Sequence, residues 1–219
     1  MKRTLNILLL IILLSSCMPK SKGTSIFSHQ VCGTSCWNNI IVGETKKQEF
    51  LEIISTLPNV DQDSITVFDE PGEDLFDGRI LFHFYRVLKD ESSLVKISAR
   101  TKNQRIVLMT FQGDLGLTFQ DVANLFGEPN LVSSLWTFDG SINVHFINSA
   151  QGIEITSFFK SEKSSVSPDT EINVISFFAT DMYERLLRSS LFVADETFIL
   201  YPWTGYGKIE DQYWPPQEP

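Results

Sequence analysis

Two stretches of this chain are built alike, and the segments behind them limit the fold. The first, over 41–60, reads IVGETKKQEFLEIISTLPNV, and the second, over 114–132, reads DLGLTFQDVANLFGEPNLV. Gly43-x-Thr45 matches Gly116-x-Thr118, and Pro58-Asn59-Val60 matches Pro129-Asn130-Leu131. Both predict a short capped helix. In the first, Thr45 is the expected N-cap and Gln48 stands three residues on, the spacing of a capping box. Phe50, Leu51, Ile53, Ile54 and Leu57 then fall on one helical face, and Pro58 ends the run. In the second, Thr118 is the N-cap with Asp121 at the third position. Val122, Leu125 and Phe126 form the apolar stripe, and Gly127 closes it.

Strand-like runs come after each helix. Segments 79–88, 94–101 and 105–112 come after the first, and 131–138, 141–147, 152–159 and 172–180 after the second. In the first of them Phe82 and Phe84 alternate with His83 and Tyr85. Lys102-Asn103 marks one turn, and Asp139-Gly140 has the composition of a type I′ hairpin turn. A parallel βαβ order needs a helix between successive strands, and none fits. The expected class is therefore α+β: two tandem helix-plus-antiparallel-sheet repeats, over 37–113 and 114–180. A C-terminal helix and an aromatic, proline-rich tail over 181–219 complete the chain, with Asp181 expected to cap a helix over 181–192.

The first 36 residues carry a different kind of information. Lys2 and Arg3 precede an apolar run of about ten residues, and Ser15 and Ser16 come next. That run is half of the ~20 residues a spanning helix needs, so residues 1–16 are expected to be a signal peptide. Leu14-Ser15-Ser16-Cys17 resembles the bacterial lipobox. The resemblance implies cleavage before Cys17 and acylation (palmitate or a similar chain) of that cysteine, with residues 17–36 as lipidated cysteine and tether. Several acyl chains at ~0.8 kcal/mol per buried CH₂ would hold the chain on a membrane. The intact chain has a formal net charge of −9. Loss of Lys2 and Arg3 leaves 16 basic against 27 acidic residues, a net of −11. Such a balance excludes the basic face that nucleic acid requires and a polybasic grip on anionic lipid. The expected location is the bacterial cell envelope, on the extracytoplasmic face of a membrane.

The Gly-x-Thr, short helix, Gly-x-Pro and antiparallel strands resemble the small outer-membrane assembly lipoproteins (SmpA/OmlA-like) and the tandem-repeat β-lactamase-inhibitor-protein fold. The resemblance covers about residues 37–160. It implies a scaffold that holds a partner protein of the envelope against its sheet and helix. The opening CWNNIIVGETKKQEFLEII also resembles lipoproteins of filamentous, Chloroflexi-type bacteria.

After Cys17, Cys32 and Cys36 remain, and outside the cytoplasm an even pair reads as a disulfide. The alternative is a thiol-redox or copper-handling lipoprotein, because His29, Cys32 and Cys36 place three soft ligands within eight residues. C-x₃-C resembles the motif of thioredoxin-like copper chaperones, but Trp37 stands where those proteins carry proline.

Catalytic chemistry leaves little trace. His83 and His145 are expected as hydrogen-bonded residues of sheet faces, and no nucleophile elbow, P-loop or other cofactor motif occurs. Asn59, Asp61, Asp63 and Glu70 fall at positions 1, 3, 5 and 12 of a calcium loop, yet Ser64 replaces its glycine and 65–68 reads as strand. No metal site and no cofactor are therefore assigned. In the tail, Trp203, Tyr206, Tyr213 and Trp214 either fold back over the sheet or present an aromatic surface to a partner. The sequence points to a non-enzymatic binding or scaffolding module.

Overall fold

The computed structural model describes residues 26–27, 35–70, 75–87, 92–137, 139–187 and 199–212. Cys17, His29, Cys32, Tyr213 and Trp214 lie outside them, as does most of the expected signal and tether. None of the described helices is long and apolar enough to cross a membrane.

A short hairpin, β1 (Cys36–Trp37) and β2 (Ile40–Ile41), opens the fold. Helix α1 (Lys47–Thr56) leads into β3 (Val60–Asp69), β4 (Gly78–Val87), β5 (Ser92–Lys102) and β6 (Arg105–Gly113). Helix α2 (Phe119–Phe126) leads into β7 (Leu131–Trp136), β8 (Ile142–Asn148) and β9 (Ile153–Phe159). Then come β10 (Ser165–Val166), β11 (Val174–Phe178), a 3₁₀ turn (Thr180–Met182) and α3 (Tyr183–Leu187). Finally β12 (Tyr201–Pro202), β13 (Gly207–Lys208) and α4 (Ile209–Gln212) are short. Nine strands form one antiparallel sheet in the order β12-β7-β8-β9-β11-β6-β5-β4-β3, and β10 pairs with β13 apart from it.

This corrects the expected α+β class. Among the described residues strand takes up 48% and helix 18%, so this part of the protein is mostly β, built on one large sheet. The physical reason lies at β11. It returns to pair with β6 through Val174–Phe178, which joins the strands before and after α2 into one ladder. Helices of ten and eight residues then serve as covers on that sheet. The strand content also exceeds the expectation: β3 runs for ten residues where only 65–68 read as strand, and bulges between Asp61 and Thr66.

Local details separate what capping chemistry can and cannot reveal. Thr118 caps α2 as its sequence implies: its Oγ1 accepts from Asp121 N–H, while Asp121 Oδ2 accepts from Thr118 N–H at 2.8 Å. Thr45 does not cap α1. Its hydroxyl accepts from Ile41 N–H at 2.8 Å, one turn earlier, and Lys46 takes the N-cap place without a side-chain bond. The type I′ geometry sits at Asn103 (φ 51°) and Gln104 (φ 62°). At Asp139-Gly140 the glycine alone has a positive φ (79°), so that turn is of another type. The helix expected over 181–192 begins as the 3₁₀ turn and continues as α3 to Leu187; residues 188–198 lie outside the described part.

One register row explains the core. Phe82, Ile97, Phe111, Ile175, Ile155, Phe146 and Val132 are successive cross-strand partners from β4 to β7, so they share a face. Both helices lie on it: Phe50 of α1 meets Phe82 at 6.0 Å, and Phe119 of α2 meets Phe146 at 4.9 Å. The N-terminal segment fills the space between them. The rings of Phe27 and Phe111 are 5.2 Å apart, those of Phe27 and Phe177 5.7 Å, and Trp37 meets Phe111 at 5.1 Å. Ser35 donates to the carbonyls of Gln151 and Gly152, fastening the segment to the β8–β9 turn. Gly152 has φ +66°, and a Cβ there would stand 2.3 Å from Phe178 O, so this approach requires glycine. Phe27 is buried, although it falls in the polar stretch that reads as tether.

Candidate functional site

The face opposite the helices is uncovered at its centre and forms a cup. Its rows come from the same register. Leu81, Ser98, Thr110, Ser176 and Glu154 are successive partners from β4 to β9. The next row runs His83, Lys96, Gln112, Val174, Thr156 and His145. The first row, together with Val174, Thr156 and His145 of the second, lines a cavity of about 360 Å³ that opens to solvent, within the size range of small-molecule sites.

The floor is polar, which is unusual for the middle of a sheet. Glu154, Thr156 and Ser176 are each 4% exposed. A buried carboxylate is tolerated only when paired. Glu154 Oε1 lies 2.6 Å from His145 Nδ1 and accepts from Thr156 Oγ1 at 3.0 Å. At 2.6 Å two bare acceptors would repel, so the two atoms share one proton in a hydrogen bond. Among the described residues His145 Nε2 has no hydrogen-bond partner, and it is out of contact with solvent. Beside this pair, the hydroxyls of Thr110 and Ser176 are 3.1 Å apart.

One end of the cup is cationic. Arg79 and Arg100 are direct cross-strand partners on β4 and β5. Both converge on a single carboxylate, Glu70: Arg100 donates to Oε2, and Arg79 Nε lies 3.3 Å from Oε1 but out of line for a hydrogen bond. Each guanidinium is also held over a ring, Arg79 over Phe68 at 4.9 Å and Arg100 over Phe76 at 5.3 Å. Among the described residues the two positive charges therefore share one counter-charge. At the other side of the cup Phe158 is 48% exposed.

Several residues singled out from sequence have other places. His145 is a hydrogen-bonded sheet-face residue, as expected, and His83 shares its face. Asp61 and Asp63 lie along β3, Asp61 accepting from Tyr85 Oη at 3.3 Å, and Glu70 serves the two arginines, so the calcium spacing is spread over a strand. Among the described residues no group of three or more His, Cys, Asp or Glu side chains could hold a metal. Cys36 is buried and disulfide-bonded, while Cys32 and His29 lie outside the described residues. Trp203 folds back: it stacks on Phe119 at 5.1 Å and meets Phe146 edge-on at 5.5 Å. Tyr206 packs on the same Phe119 and stays 37% exposed.

Sequence reasoning missed Arg79, Arg100, Glu154 and Thr156 as a site. A signal was present: Glu154 interrupts an apolar run, GIEITSFF, at a position flanked by isoleucines. A charge there implies a buried partner. No protein-family profile matches the chain, and no curated protein or solved structure does either.

Proposed function

We propose that this chain is a lipid-anchored, extracytoplasmic binding protein of the bacterial envelope, whose open sheet face seats its ligand. The cup carries the reading: buried, mutually hydrogen-bonded polar side chains at the centre of a nine-stranded sheet form a rigid floor of small-molecule size. The anchor rests on the residues before and at Cys17, and a disulfide-bonded Cys36 fits an oxidising compartment. A binding role without catalysis is supported by His145, whose Nδ1 is engaged by Glu154 and whose Nε2 lies away from solvent, a poor geometry for passing protons to a ligand.

Two measurements test the two halves. Cells producing the full chain and fed a clickable acyl chain should label it, and Cys17→Ala should abolish the label and release the protein from membranes. Unchanged labelling would remove the anchor. A photoreactive phenylalanine at Phe158, beside the cup, should capture a ligand or partner in native envelopes. The same probe at Leu125, exposed on the helix side, should not. Equal capture, or none at Phe158, would remove the cup as the binding face.

A further inference from the structure

We infer that the ligand of the cup is an acidic saccharide, its carboxylate held by Arg79 and Arg100 and its hydroxyls by the floor. The inference rests on the cup being the binding face and adds the chemistry of what it binds.

The arginine pair gives the charge. Planar guanidinium forks match carboxylates, and two that already converge on Glu70 are fixed in place before any ligand arrives. Glu70 and the rings of Phe68 and Phe76 restrict their movement. Each guanidinium has five N–H groups, and the described residues engage few of them, which leaves donors for the cavity that both residues line. Among the described residues Glu70 neutralises one of the two charges and one remains at this end, while the Glu154 carboxylate of the floor is turned to His145 and Thr156, in a chain of formal net charge −9. An anion would be repelled by most of this surface and accepted at this end of the cup.

The floor gives the rest of the ligand. Ser98, Thr110, Ser176, Thr156 and Asn143 line the cavity with hydroxyls and an amide, each able to donate and to accept. That is the complement of a polyol. A peptide is the poorer occupant, because its amides seek a free strand edge. The cup lies over interior strands whose backbone groups are already paired in ladders on both sides, from β5 to β8. Phe158 adds an exposed apolar ring beside the polar floor, suited to the C–H face of a sugar.

The experiment is a calorimetric titration of the full mature chain in detergent micelles with three probes: trigalacturonate, its methyl ester, and neutral galactotriose. Trigalacturonate should bind at least tenfold more tightly than either neutral probe, and the preference should shrink with added salt. Arg79→Gln and Arg100→Gln should each cost tenfold or more for the acid and little for the ester. Circular dichroism shows whether each variant is folded, and the acid-to-ester ratio on the unaltered chain stands without them. Equal binding of acid and ester, or no binding of any probe, would overturn the acidic-saccharide assignment. In either case continued photocapture at Phe158 would leave the cup as the binding face with a different ligand, whereas loss of capture would remove both.

Discussion

Phe27 is a sharp test of the packing, because it lies in a stretch whose composition gives no hint of a core residue. Its ring is 2% exposed and makes edge contacts with Phe111, Phe126 and Phe177 at centroid distances of 5.2, 6.0 and 5.7 Å. Truncating a buried phenylalanine to alanine costs about 3–5 kcal/mol, from lost transfer energy and the cavity left behind. The three ring contacts place Phe27→Ala in the upper part of that range, since such pairs add ~0.5–1.5 kcal/mol beyond area alone. At about 2–4 °C per kcal/mol for a chain of this size, a loss of about 4 kcal/mol lowers Tm by roughly 8–16 °C. Phe27→Leu keeps most of the volume and loses the ring geometry, so its shift should be less than half as large. Thermal unfolding monitored by circular dichroism reads both. A Tm for Phe27→Ala within about 3 °C of the unaltered protein would refute the reasoning, because a segment docked only at its surface would give that result.

Two further expectations concern the turn between β5 and β6. Gln104 adopts a left-handed conformation, φ 62°, at the second central position of the turn, which costs a non-glycine residue ~1–2 kcal/mol. Gln104→Gly removes that strain and adds ~0.4–1 kcal/mol of backbone entropy to the unfolded state, so a net gain of about 0.5–1 kcal/mol is expected in urea unfolding. Next to the turn, burial pushes the Asp77 carboxyl up. Hydrogen bonds from the Thr101 hydroxyl and the Asn103 and Gln104 N–H groups outweigh that and hold it below the usual value. A depressed folded pKa means that Asp77 contributes stability above about pH 4 and loses it as pH falls through the folded value. Asp77→Asn should therefore be destabilised relative to the unaltered chain at pH 6, and the difference should shrink as pH falls below the ordinary carboxylate value in parallel urea titrations.

The parts of this molecule that could be read in advance are those whose cause is local. The strands over 79–88, 105–112 and 152–159 arise from short apolar and β-branched runs along a few residues. The cap at Thr118 arises from two side chains three positions apart. Thr45 carries the same letters and does another job, because Ile41 N–H offers its hydroxyl a partner one turn earlier. That competition is set by the β1–β2 hairpin, which spacing does not encode. The fold class turns on one pairing, β6 with β11, between segments 66 residues apart at Thr110 and Ser176. The cup has the same origin. Arg79, Arg100, Thr110, Ser176, Glu154 and His145 come from six strands, and register alone makes them neighbours. Glu154 stands out as an uncompensated charge, but nothing in the sequence names His145 as its partner.

The buried position of Phe27 also sets a length. With the anchor at Cys17 as proposed, ten residues join the membrane surface to a point fixed inside the protein. Fully stretched, they span at most about 33–36 Å, close to the ~30 Å hydrocarbon thickness of the bilayer beneath. The domain is then confined to a thin layer over its own membrane. A target embedded in that membrane, or lying on it, meets the cup at the high effective concentration that a short leash imposes, while one borne by a distant layer of the envelope stays beyond reach.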